Sequence, residues 1–160
     1  MPLVEYAGAL QDLYARAGQP AEARKRAEMI DMIDKMEQAS ELNVNRNLAM
    51  AYADRDRKLD RALALVEAEL PGRRDIYPYD ALAWALYKNK EYEEAGKAKE
   101  KALELGTPEP AFYYHAGMIE RALGQTDQAR MHLEKALALN VRFDPRQAPL
   151  AEAALKGIAQ

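Results

Sequence analysis

Two histidines, His115 and His132, are the first residues to examine for chemistry, because imidazole moves protons near neutral pH. They fall in different helical segments, and neither belongs to a His-Glu-x-x-His pair. The chain has no cysteine, which excludes disulfides, thiolate metal sites and a cysteine nucleophile. Its only serine, Ser40, stands at a helix end, where capping is sufficient use for a hydroxyl. Asp31 and Asp34 bracket apolar residues at i, i+3 spacing, which lets two carboxylates approach but does not by itself make a site. The eight glycines are scattered, and none forms a phosphate-cradling loop. The expectation is a chain with no catalytic residues, no metal site and no cofactor. A metal-dependent or hydrolytic enzyme is the weakest of the readings weighed.

Composition narrows the partners. The chain has 160 residues, 49% of them hydrophobic, which is enough for a real core. A net charge of −3 lacks the basic excess that non-specific nucleic-acid binding requires, so no nucleic-acid partner is expected. No apolar run approaches the ~18 residues of a membrane span, so no membrane insertion is expected. The start, Met1-Pro2-Leu3-Val4-Glu5, has neither the basic end nor the apolar centre of a signal peptide. The compartment is left open, cytoplasmic or exported.

The elements that would hold any site are helices. Val4, Ala7, Leu10 and Tyr14 recur at helical spacing and predict a helix over about 3–17, followed by a Gly18-Gln19-Pro20 turn and a second helix over about 20–40. In that second helix Met29, Met32, Ile33 and Met36 share a face, which reads as core packing, ahead of an adaptable docking surface. A hairpin follows in which Leu48, Ala49 and Tyr52 face Ala62, with a charged turn over 54–58 one residue longer than its counterparts, and Pro71-Gly72 closes it. The helix around Asp80-Ala81-Leu82-Ala83-Trp84 is apolar nearly all round and must be covered on more than one side. Its partner, 92–105, carries a charged outer face.

These hairpins repeat. Lys101-Ala102-Leu103-Glu104-Leu105 returns 34 residues later as Lys135-Ala136-Leu137-Ala138-Leu139, and the same interval joins Ala83 to Gly117 and Ala95 to Ala129. Small residues at such fixed places sit where two helices cross closely. With Tyr79, Leu82, Ala83 and Leu86 in one copy and Tyr113, Ala116 and Gly117 in the next, the pattern resembles the tetratricopeptide repeat. Runs such as 80–88 and 114–119 are similar to the C-terminal repeats of bacterial, often exported, members. The resemblance implies an all-α, right-handed solenoid of helical hairpins forming a single domain over 1–160. Its repeats fall near 4–41, 42–75, 76–109 and 110–143, with a capping helix near 149–158 whose buried stripe is Ala151, Ala154, Leu155 and Ile158.

The resemblance also implies a function, a protein-interaction scaffold that binds a peptide segment or a partner subunit in a concave groove. The groove-facing positions of the family fall here on Tyr77, Asp80, Trp84, Tyr87 and Lys88, on Tyr114, Met118 and Arg121, on Asn43, Arg46, Met50 and Asp54, and on Glu5, Asp12 and Arg16. Residues 77, 80, 84, 87 and 88 form one helical stripe, and an aromatic strip flanked by charges of both signs suits a peptide; Trp84 is equally suited to pack against the neighbouring hairpin. The carboxylate clamp of some family members is expected to be absent, since Gly8 and Asp12 occupy its positions and Asp12 would repel a carboxylate. The alternative is self-assembly through the N-terminal edge, where Leu3, Val4 and Tyr6 add apolar surface.

Overall fold

The computed structural model describes residues 3–39 and 45–158. Among the described residues every regular element is an α-helix and there is no strand. Helices α1 (Leu3–Arg16), α2 (Pro20–Ala39), α3 (Arg46–Ala53) and α4 (Leu59–Glu69) make one compact unit that ends at Gly72. Helices α5 (Ile76–Lys88), α6 (Tyr92–Leu103), α7 (Pro110–Ala122), α8 (Thr126–Leu139) and α9 (Gln147–Ile158) make a second, from Arg73 onward. The expected roles of Ser40 and Asn43 lie outside the described residues.

One turn geometry joins the hairpin helices. Gly18, Asp56, Lys90 and Gly124 each adopt a left-handed backbone, with φ of 70°, 52°, 67° and 75°. The N–H of the following residue then donates to a carbonyl one turn back: Gln19 to Tyr14 at 2.9 Å, Arg57 to Tyr52 at 3.0 Å, Glu91 to Leu86 at 3.0 Å and Gln125 to Glu120 at 2.8 Å. This closes the end of the first helix and reverses the chain. Asp56, Lys90 and Gly124 recur at 34-residue intervals, whereas Gly18 precedes Asp56 by 38, so the first repeat is the long one. The extra residue of the charged turn is Lys58, which takes a second left-handed conformation (φ 44°) just before α4.

In the second unit α5 pairs with α6 and α7 with α8. The repeated small residues lie at the crossings: Ala83, Ala95, Ala102, Ala129 and Ala136 are all buried. Gly117 is required by contact. A Cβ there would come within 2.6 Å of Leu133 Cγ and 3.1 Å of the Ala129 carbonyl oxygen. The apolar α5 is covered by both α6 and α7, as its sequence demands. Helix α9 packs on α7 and α8 with Ala151 and Ala154 buried and Leu155 and Ile158 half-buried. It starts two residues earlier than the pattern suggests, because Asp144 accepts from the N–H groups of Arg146 and Gln147, both at 2.7 Å.

In the first unit α1 pairs with α2, α3 pairs with α4, and α3 also lies against α1 and α2. Asn45 begins α3 by accepting from the Leu48 N–H at 3.0 Å. On α1 Val4 and Ala7 are buried and Leu10 is exposed; the buried face turns toward Gly8 and Asp12, where Arg55 arrives from the turn after α3. One expectation is corrected. Met29, Met32 and Met36 are exposed, not core, because α3 and α4 meet α2 on the face of Ile30 and Asp34.

Candidate functional site

Helix α5 brings Asp80, Trp84 and Lys88 to one stripe, spaced by one turn each, and α7 lies beside it. Trp84 is the centre of the arrangement at 2% exposed. Its ring stacks on His115 at 4.3 Å and on Tyr87 at 4.9 Å, tilts against Tyr114 at 5.5 Å, and carries the Lys88 ammonium at 4.9 Å. His115 is fixed from both sides. Asp80 can only accept, so His115 Nδ1 donates to its two oxygens at 2.9 and 3.0 Å, and Nε2 meets the Gln147 side-chain amide at 3.1 Å. All three polar groups are buried, and the network ties α5 to α7 and α9.

This placement corrects part of the expected groove. Asp80, Trp84 and Tyr114 are buried, because α7 packs on the stripe that was expected to face solvent and Phe143 covers Tyr114 at 5.9 Å. The residues of that set which reach the surface are Tyr77 and Arg121, which are exposed, and Tyr87, Lys88 and Met118, which are half-buried. Tyr77 is held edge-on to Phe112 at 5.5 Å. A second buried cluster lies behind α7. Glu120 accepts from Lys99 at 2.8 Å and from His132 Nδ1 at 2.7 Å, joining α6, α7 and α8. Burial pushes the Glu120 carboxyl up, but the hydrogen bonds from His132 and Lys99 outweigh it and hold the group below the usual range.

The first unit holds the other expected residues on α3. Met50 is half-buried, and the Arg46 guanidinium lies 4.0 Å from Glu69 of α4. The carboxylates singled out at i, i+3 do converge, on a third partner that sequence spacing did not reveal. The Tyr52 hydroxyl lies 3.0 Å from Asp34 and 3.1 Å from Asp31, and accepts from Lys58 at 3.0 Å. Arg57 pairs with Asp31 at 2.6 Å and Arg61 with Asp34 at 3.0 Å, while Lys58 reaches Asp31 at 2.9 Å and Asp34 at 3.3 Å. Burial raises Asp34, yet donors from Gln38, Tyr52, Arg61 and Lys58 hold it below its ordinary value. Asp31 follows the same logic through Lys58, Arg57 and Tyr52. The Tyr52 hydroxyl, buried beside Asp34, is pushed well above the tyrosine range. Three cations and two carboxylates thus latch α2 to α3 and α4. Sequence reading could not have found the partners, because they are 18 to 27 residues distant.

Asp12 does not stand as a bare negative charge. Arg55 donates to it at 2.7 Å and to the Ala51 carbonyl at 3.0 Å, with both side chains largely buried. The guanidinium lies over Gly8, where a Cβ would sit 2.7 Å from Arg55 Nη2. Of the two positions of the family clamp, Asp12 is engaged by Arg55 in an internal ion pair and Gly8 lies against the same guanidinium.

Among the described residues no cluster of three or more His, Cys, Asp or Glu could hold a metal ion, and no helix is long and apolar enough to cross a membrane. The family model described as Tetratricopeptide repeat matches residues 110–140, which is the α7–α8 hairpin. That match and the paired short helices fit a tetratricopeptide-repeat protein, and they point to a protein–protein interaction module. No curated protein and no solved structure matched the chain.

Proposed function

We propose that the chain is a non-catalytic scaffold that recognises a peptide segment or a partner subunit through the α5–α7 surface. Tyr77, Tyr87, Lys88, Met118 and Arg121 make the contact, and Asp80, Trp84 and Tyr114 form the floor beneath them. The observation that carries this reading is the fixed stack of Tyr87 on Trp84 on His115. A tyrosine held by a locked ring loses little freedom on binding, so its contact area converts efficiently to affinity. Lys88 over the Trp84 ring and exposed Arg121 on α7 favour a segment with acidic residues.

The test places a photo-reactive phenylalanine analogue at Tyr87 and, as control, at exposed Glu93 on α6. A discrete protein should crosslink from position 87 only, and Tyr87→Ala should weaken its binding by about 2 kcal/mol or more. Arg121→Glu should abolish the crosslink with the melting temperature unchanged, and Lys88→Glu should abolish it with the small loss of stability expected when the ammonium leaves the Trp84 face. Equal crosslinking from both positions, or indifference to the charge reversals, would remove this surface from consideration. The single tryptophan supplies a second readout, since a ligand on Tyr87 changes the stack that sets Trp84 emission.

A further inference from the structure

The first hairpin carries a face that the α5–α7 reading does not use. On α1, Leu3, Tyr6, Leu10 and Leu13 are exposed at i, i+3, i+7 and i+10, one stripe, with Tyr6 at 65%. On α2, Met29, Met32 and Met36 are exposed at i, i+3 and i+7, with Met32 at 64% and Met36 at 66%. Both stripes turn away from α3 and α4. Those helices reach α1 through Arg55 on Asp12 and reach α2 through Tyr52 and Arg61 on Asp34, and these anchor residues lie on the opposite sides of their helices. Seven large side chains, each roughly half exposed, present on the order of 700 Å² of apolar surface. A monomer's largest apolar patch is commonly about 300–600 Å², whereas one side of a stable interface buries about 800 Å².

Charge selects the occupant. Glu28 and Lys35 are exposed on one flank of the methionine stripe, two helical turns apart, with their midpoint next to Met32. An antiparallel α2–α2 pairing about a twofold axis at Met32 sets Glu28 of each copy opposite Lys35 of the other. In an antiparallel helix pair, residues on the same flank face one another. In a parallel pairing each flank meets the partner's opposite flank, so Glu28 and Lys35 would not meet at all. Glu28 now pairs with Arg24 at 3.0 Å, but both side chains are mostly in water, so exchanging that partner costs little. We infer that a second copy of this chain covers the face, as an isologous dimer with α2 antiparallel to α2, the methionines at its centre and the α1 stripes at its rim. The interface is separate from the α5–α7 surface, so either can fail without the other.

The experiment is sedimentation velocity on the full chain, from low micromolar to about 0.2 mM, with four variants. The parent should approach twice 18.0 kDa with rising concentration. Met32→Glu should leave a monomer with unchanged helical dichroism and melting at low concentration. Glu28→Lys and Lys35→Glu should each raise the dimer Kd tenfold or more, and the double reversal should restore it. Because the chain has no cysteine, Met32→Cys should form a symmetric disulfide under mild oxidation, whereas Met131→Cys on exposed α8 should not. A parent that stays monomeric throughout overturns the inference. So does a dimer indifferent to Met32→Glu, a double reversal that fails to rescue, or a monomer whose face instead binds lipid vesicles.

Discussion

Gly117 and Gly96 sit in neighbouring helices of one unit, and the same change to alanine should move stability in opposite directions. Inside a helix, alanine is favoured over glycine by about 0.5–1 kcal/mol. At Gly117 the new methyl meets Leu133 Cγ at 2.6 Å, Cδ2 at 3.0 Å and the Ala129 carbonyl at 3.1 Å. Leu133 is fully buried and its branching carbon cannot swing aside, so α7 and α8 must part. Overpacking of this kind costs about 1–3 kcal/mol, which exceeds the propensity gain and leaves a net loss of about 1–2 kcal/mol. At Gly96 the methyl meets only Leu123 Cδ1, at 3.2 Å. That atom is the free end of a half-buried side chain, so it yields and the propensity gain survives. Urea unfolding followed by far-ultraviolet dichroism separates the two. Gly96→Ala should raise the midpoint and Gly117→Ala lower it, with parent slopes in both. Leu133→Ala alone should cost about 2–5 kcal/mol, but in its presence the added cost of Gly117→Ala should shrink by about 1 kcal/mol, since the clash is with that side chain. If Gly117→Ala is as stable as the parent, or the two alanines move the midpoint the same way, the close crossing is not what fixes this glycine.

Three further outcomes follow from particular residues. Lys90 holds a left-handed backbone without the freedom of glycine, so Lys90→Gly should stabilise by up to about 1 kcal/mol and Gly124→Lys, at the equivalent turn, should destabilise by about 1–2 kcal/mol; equal melting temperatures for all three proteins would contradict the shared turn geometry. Trp84→Ala should cost about 3–5 kcal/mol of folding, because the ring is buried in the α5–α7 stack; a stable Trp84→Ala protein would show that the stack is not packed as described. Asp31 and Asp34 titrate lower in the folded than in the unfolded chain, where such groups sit near pH ~3.9. Their contribution is therefore complete above about pH 5 and fades as pH falls below ~4 toward the folded values; Asp34→Asn should flatten that acid limb, and an acid titration of the variant that overlays the parent's would sink the assignment.

The repeat was legible because its signal is local and periodic. Ala95 and Ala129 stand at crossings that admit nothing larger, so the 34-residue interval appears directly in residue identity. The helix bounds followed from proline, glycine and apolar spacing, and α7–α8 ends where the pattern says, at Pro110 and Leu139. The faces were harder to read. An apolar stripe such as Met29, Met32 and Met36 has the same spacing whether it is covered or not, and only the position of α3 and α4 decides. Part of the groove set is buried for a related reason. Residues on one stripe of α5 share a direction, but whether Trp84 meets water depends on where α7 places His115. The charge networks were the least visible, because Asp80 and His115 are 35 residues apart and each alone looks like an ordinary helix residue. Repeat arithmetic offered a hint: 35 is one repeat plus one position, the step between neighbouring first helices.

The Asp80–His115–Gln147 chain changes how disturbances travel along the second unit. In a stack of repeats each hairpin ordinarily feels only the one beside it, and an end can fray while the rest remains intact. Here Gln147, at the start of α9, holds the far nitrogen of an imidazole whose near nitrogen grips α5. When α9 lifts away, His115 loses one partner while staying buried, and the orientation that keeps Trp84 and Asp80 in place is weakened two helices away. Opening of the last helix should thus register in the amide exchange of α5, although α5 and α9 are not packing neighbours. The tail of this unit behaves less like a loose end than like a keystone, and its docking sets how firmly the Tyr87 surface is held.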